Sequence, residues 1–364
     1  MLFAYPSEAL EENWLNAAVV DILRHGMDEI AAGRAAPKWP SCIPQAYRAT
    51  LQGRPGLRDR LKTVWREFRK LGDLDRGRLK EALESQTDLP TILSNGVVCI
   101  QIGEFPEPVR QAITSLFRFL FDLLSEIKTG PFSLRDSQYH KIYQTFKKSK
   151  ICPFCGLGYF RAPGAPRHDL DHYMLVSKYP FAGADLRNLP PMCSECNSDF
   201  KGTADILYND DGMRRPCSDP YSGPTFGISL ANSQPFMGNN INGIRYPRWE
   251  IDFQGGLASH AETWDKVFKI RERYERDILD ADFLSWLGHF AVWYRTSKGI
   301  DLQPDEVASA LPEYISNVIQ DGWADRAFLK AEVFRMLDAE CGHVERGAET
   351  RVWLKEVVEY AAVA

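Results

Sequence analysis

Two Cys-x-x-Cys pairs near the middle of this 364-residue chain constrain it more than any other feature. Cys152-Pro-Phe-Cys155 is one and Cys193-Ser-Glu-Cys196 is the other, with 37 residues between Cys155 and Cys193. Cysteines at this spacing sit on tight knuckles, and two knuckles supply the four thiolates of a tetrahedral zinc ion. Such a site has no open position, so its zinc is structural and ties the two ends of the intervening segment together. Eight cysteines are too few for a disulfide scaffold in a chain of this length. The other four, Cys42, Cys99, Cys217 and Cys341, read as small buried hydrophobes.

The segment between the knuckles carries a different chemistry. His168-Asp169-Leu-Asp171-His172 and Asn188 precede the second knuckle; Asn197 follows it directly, and Lys201 comes four residues later. Hydrolysis of a phosphodiester needs a base for water, a cation for the charge developing on phosphate, and neutralisation of the leaving oxygen. An ordinary imidazole titrates near ~6.5, which suits His172 to the base role at neutral pH. Asp171 and Asn197 offer hard oxygen ligands of the kind that magnesium or manganese prefers. The run from Leu170 to Val176 is expected as a strand, with a helix after Cys196 that turns Asn197 back towards it. Neighbours on a strand face opposite sides, so a ligand and a base side by side require a strand end or a distorted backbone. His168, four residues before His172, is the rival base.

With these residues in view, the stretch 150–205 resembles the HNH, or ββα-metal, nuclease superfamily in its zinc-stapled form. Matched by position, the resemblance makes Asp171 the acidic metal ligand and His172 the general base. Asn188 takes the place of the middle asparagine that steadies the loop and the base, and Asn197 that of the last metal ligand. Lys201 matches a lysine that meets phosphate, and Asp169 an acid present in some members. The family's Ile-x-Pro after the histidine is missing. The run from His172 to Pro180 instead resembles a subgroup met in bacterial anti-phage defence operons, the Septu-type nucleases that act with an ATPase.

The activity implied is DNA cleavage, one strand per site, with structural zinc, catalytic magnesium or manganese, and a partner ATPase or other defence subunit. Two alternatives stand beside it. One is a zinc-stabilised module that binds nucleic acid or an ATPase without catalysis; the other is an HNH nuclease that cuts RNA. A homo-oligomer is compatible with each.

Net charge is −5, so composition alone does not announce a partner for DNA. Its distribution does more. No Asp or Glu occurs from Ser137 to Arg167, and Lys141, Lys147, Lys148, Lys150 and Arg167 there are expected, with Lys201, to contact nucleic acid. Residues 54–80 hold ten Lys or Arg against four Asp or Glu, a second basic stretch whose role the sequence leaves open.

Helical periodicity covers most of the rest. Ser7 is an N-cap candidate for a helix bearing Leu10, Trp14, Ala18 and Ile22, with Gly26 near its end. A second helical stretch runs from Leu57 to about Leu83. A third opens at Glu107-Pro108 and is apolar on several faces, from Val109 to Ile127. Trp249 to Phe253 alternates like a short strand, and helix returns from Ala261, with Trp264, Val267, Ile270, Tyr274 and Ile278 at helical spacing, and a second C-terminal helix is stopped at Gly342.

The expected fold is mainly α with a small α+β insert: helical lobes flanking a zinc-bound ββα-metal nuclease core. Its expected domains are a helical 1–136, a nuclease segment 137–208, and a loop-rich then helical 209–364. The apolar run Leu116–Leu124 is interrupted by Arg118 and Asp122, and the N-terminus lacks a basic signal-type start, so a cytoplasmic protein is expected.

Overall fold

The computed structural model describes residues 1–95, 97–146, 150–165, 172–241, 244–299, 302–320 and 322–360. Among these the chain is mainly helical, with a few strand pairs two or three residues long. No helix among the described residues is long and apolar enough to cross a membrane. Two compact units form: residues 3–154 with 158–224, and residues 225–364 with Leu2 and the short turn 155–157. The segment 137–208 therefore does not stand apart from the N-terminal helices. The reason is a shared core: Phe181, Ala184, Leu186 and Leu189 are buried in one cluster with residues of the preceding helices.

In the first unit, α1 (Leu15–Ala31) begins eight residues after Ser7. Ser7 opens a separate 3₁₀ turn, Ser7–Leu10, and caps nothing with its side chain. Gly26 lies inside α1 and not at its end, because the indole of Trp65 rests on it: a β-carbon there would stand 2.2 Å from the ring. The second helical stretch divides into α2 (Pro55–Lys70) and α3 (Asp73–Thr87), broken where Leu71 turns to extended backbone. Next comes α4 (Glu107–Glu126), with Pro108 in its first turn and Val109, Ile113, Leu116, Phe117, Leu120, Leu123 and Leu124 buried. Burial on so many positions of one helix fits the broad apolar surface its sequence carries. Last is α5 (Leu134–Thr145), capped by Ser133, whose Oγ accepts from the Asp136 amide at 3.1 Å.

In the second unit, the strand Gly227–Ser229 pairs antiparallel with Asp252–Gln254, Ile228 opposite Phe253. This pairing takes only the end of the expected Trp249–Phe253 strand. Helices α6 (Ala258–Phe268), α7 (Asp280–Lys298), α8 (Ala327–Cys341) and α9 (Gly347–Tyr360) follow. Lys269, in left-handed backbone at φ 52°, breaks the expected continuous helix after α6, while Gly342 ends α8 as its sequence implies. The core of this unit is aromatic: the Tyr314 ring lies 5.1 Å from Phe290 and 4.9 Å from Phe334.

Candidate metal centre and histidine loop

The two knuckles meet. The thiols of Cys152, Cys155, Cys193 and Cys196 all lie within 4.8 Å of one another, and all four residues are buried. The first knuckle is shaped by backbone. The Cys152 amide donates to Gly158 O at 2.8 Å, Ile151 bridges to Tyr159, and the Leu157 amide points at Cys155 Sγ, 3.4 Å away. Gly156 supplies the positive φ of 68° that this tight reversal needs. Gly158 admits the second knuckle, since a β-carbon there would lie 2.5 Å from Cys193 Cβ and 2.8 Å from its sulfur. Amides of Cys193 and Cys196 face Cys152 Sγ and Cys193 Sγ, each at 3.5 Å.

Zinc at its usual distance of ~2.3 Å from sulfur sets tetrahedral thiolates about 3.8 Å apart. A set already within 4.8 Å reaches that by small side-chain movements, so the four cysteines can hold a metal ion. Tyr5 closes over the same place. Its hydroxyl donates to Pro191 O, and burial, reinforced by the nearby cysteines, holds the phenol well above its ordinary titration range.

His172 lies in irregular backbone; among the described residues of the expected strand, 172–176, none is strand. The physical reason is that no neighbouring strand is offered among the described residues. The run from 172 to 189 is a series of turns, including 3₁₀ turns at Pro180–Ala182 and Leu186–Asn188. Helical-lobe side chains satisfy its polar backbone in place of a ladder. Asn16 of α1 donates to Phe181 O at 3.0 Å and accepts from the Ala184 amide at 3.3 Å. Asn13 accepts from the Leu186 amide at 2.7 Å, Gln86 of α3 from the Phe181 amide at 3.1 Å, and Gln138 of α5 donates to Leu186 O at 2.7 Å.

Within this frame His172 is 9% exposed. Its Nε2 lies 2.8 Å from Gly183 O. A carbonyl can only accept, so Nε2 is the donor in this bond. The imidazole also packs on Phe121 of α4, ring centroids 5.0 Å apart. Asn188 clamps the loop from within. Its amide nitrogen donates to Met174 O at 3.1 Å and Ala182 O at 3.2 Å, and its Oδ1 accepts from the Met174 amide at 2.7 Å. Tyr173 joins this loop to the first knuckle through its ring, 5.7 Å from that of Phe154.

The remaining expected residues are placed as follows. Asp171, His168, Asp169, Arg167, Lys147 and Lys148 lie outside the described residues. The expected helix begins within the second knuckle and not after it: Glu195–Lys201 is a π-helix, with Cys196, Asn197 and Lys201 buried. Lys201 is 1% exposed and borders a cavity of about 990 Å³ lined also by Cys99, Lys178, Asp199, Asp205 and Tyr208. Lys141 is ion-paired with Glu11 at 2.7 Å. Lys150 donates to Tyr143 O above the Tyr143 ring, and burial lowers its pKa. These lysines are thus engaged within the protein, and none of the three presents a freely extended cation.

Sequence reasoning missed Asn13, Asn16, Gln86 and Gln138, which hold the histidine loop from up to 173 residues away. Isolated amides on amphipathic helices carry no spacing signal. It also missed Asp205, which accepts from Lys178 at 3.0 Å and from the Tyr179 hydroxyl at 2.8 Å beneath the same loop. Comparison with known protein families, with curated proteins and with solved structures finds no match for this chain.

Proposed function

We propose that this chain is a metal-dependent endonuclease that hydrolyses DNA phosphodiester bonds, one strand per encounter. The observation that carries the reading is His172, held through Nε2 by Gly183 O in a loop clamped by Asn188 and bracketed by two knuckles that can hold a metal ion. Cys152, Cys155, Cys193 and Cys196 would hold zinc, a closed structural site. Asp171 and Asn197 would hold magnesium or manganese, which supplies positive charge to the phosphate as negative charge develops there.

The rest of the chemistry falls to the chain. His172 Nδ1 takes a proton from the attacking water as the water oxygen bonds to phosphorus and the bond from phosphorus to the leaving sugar oxygen breaks. The Nε2–H bond to Gly183 O fixes the ring's orientation and stabilises the imidazolium that forms. One base serves one strand, so supercoiled plasmid should give open circles before linear product. Incubating zinc-loaded protein with supercoiled DNA and magnesium tests this. Cleavage of RNA alone would overturn the substrate, and cleavage of neither would overturn the activity.

A zinc-stabilised binding module is the second reading. Burial of Asn197 and Lys201, 7% and 1% exposed, favours it. Binding of DNA by zinc-loaded protein with no cleavage in any divalent cation would select it.

A further inference from the structure

One residue of the basic stretch 54–80, Arg60, lines a groove of about 560 Å³ between α2 and α4. Arg60 of α2 and Arg110 and Arg118 of α4 line it, with Thr114, Ser115 and Ser177 supplying hydroxyls. Arg110 is neutralised by Glu107. Arg60 is not neutralised: its guanidinium lies 4.3 Å over the Phe119 ring and donates to Gly56 O at 3.1 Å, with no carboxylate partner among the described residues. Stacking of this kind presents the planar donor edge of an arginine while restricting its motion. Arg118 is exposed, and it also has no ion pair among the described residues. Asp122 is the opposing charge in the groove. Against it stand the guanidiniums of Arg60 and Arg118, which leave the groove net positive.

The groove shares its wall with the histidine loop. Ser177 belongs to that loop, and Asp122 adjoins Phe121, whose ring contacts the His172 imidazole at 5.0 Å. We infer that this groove binds the phosphate backbone of DNA, with Arg60 and Arg118 each meeting a phosphate beside the His172 loop. The choice of DNA as the polyanion rests on the nuclease reading. The groove itself is independent of it. Guanidiniums and hydroxyls that offer no base-reading helix suit backbone contact without sequence preference. This places substrate recognition in the helical lobe, where Lys141 and Lys150 of the central segment are already engaged.

The test is anisotropy of a fluorescent DNA duplex across a salt series, with His172→Ala protein and no added divalent cation, so that cleavage cannot intervene. Each phosphate contact contributes about 0.9 to the slope of log affinity against log salt. Arg60→Ala with Arg118→Ala should reduce that slope by about 2 and weaken binding at low salt at least tenfold. Arg60→Lys with Arg118→Lys should keep most of the slope, because the charges remain. Arg118→Ala alone, at an exposed position, should lose about 1 and serves if the double variant misfolds. Unchanged slope and affinity in a folded Arg118→Ala variant would overturn the inference, as would absence of DNA binding or binding only to an acidic polypeptide. The two readings fail separately. Slope loss in these variants, with no nicking by the protein carrying native His172, leaves the groove standing and removes the nuclease. Nicking with unchanged salt dependence does the reverse.

Discussion

At the scale of single residues, the histidine loop depends on a few amides and glycines. Asn188 makes three side-chain bonds to the loop, to Met174 N, Met174 O and Ala182 O. Asn188→Ala leaves those groups buried without partners, and the expected cost is about 2–4 kcal/mol, read by denaturant melting. Faster hydrogen exchange at the Met174 amide should accompany it; a Met174 amide as protected as in the native protein would contradict the clamp. Gly158→Ala should act on the knuckles, because the added carbon overlaps Cys193 and forces the pairs apart. Zinc per chain after dialysis should fall below that of the native protein, with elemental analysis as the readout. In the second unit, Arg346 grips Glu340 through Nε at 2.5 Å and Nη2 at 3.1 Å, and this hydrogen bond lowers the Glu340 pKa. A lowered carboxylate contributes stability above its unfolded value of about 4.3 and loses it as pH falls through the folded one. Glu340→Gln should therefore be less stable than native protein at pH 7, by about 0.5–1 kcal/mol because the arginine partner is solvent-exposed, with the difference vanishing in acid.

At the scale of elements, what was legible followed periodicity, and what was not followed tertiary contact. The span of α4 could be read because apolar residues repeat through it and proline opens it. The end of α8 could be read from Gly342. The start of α1 could not, because residues 7–14 have the apolar spacing of a helix yet coil into 3₁₀ and turn backbone. Gly26 illustrates the same limit. Read alone it suggests a terminus; in the fold it is the seat of Trp65, whose Nε1 donates to Leu23 O at 3.3 Å. Gly26→Ala would normally favour a helix, yet here it should destabilise by about 1–3 kcal/mol through overpacking. A thermal melt showing Gly26→Ala equal to or above native stability would contradict that contact. The π-helix at Glu195–Lys201 was likewise invisible, since residue spacing alone cannot distinguish it from a short α-helix.

At the scale of the molecule, the cysteine cluster was legible in full, because ligand type and spacing are local properties of the chain. The support for His172 was not. Asn13, Asn16, Gln86 and Gln138 come from residues distant in sequence and converge only when the helices pack, so the histidine loop is built into the N-terminal core. The charge pattern was legible as net charge and misleading as surface: Lys141 and Lys150 bond within the protein, while Arg60 and Arg118 line a groove. Zinc, held where both knuckles close, should be inseparable from folding of this segment. His172 is the residue on which cleavage depends, and the most direct measurement is plasmid nicking with magnesium by zinc-loaded native protein and His172→Ala, with zinc content and circular dichroism taken on the same samples. Native protein should convert supercoiled DNA to open circles, and His172→Ala should be slower by about 10²–10⁴ with zinc and fold unchanged. Equal cleavage by the two proteins, or none by the native one, would contradict it.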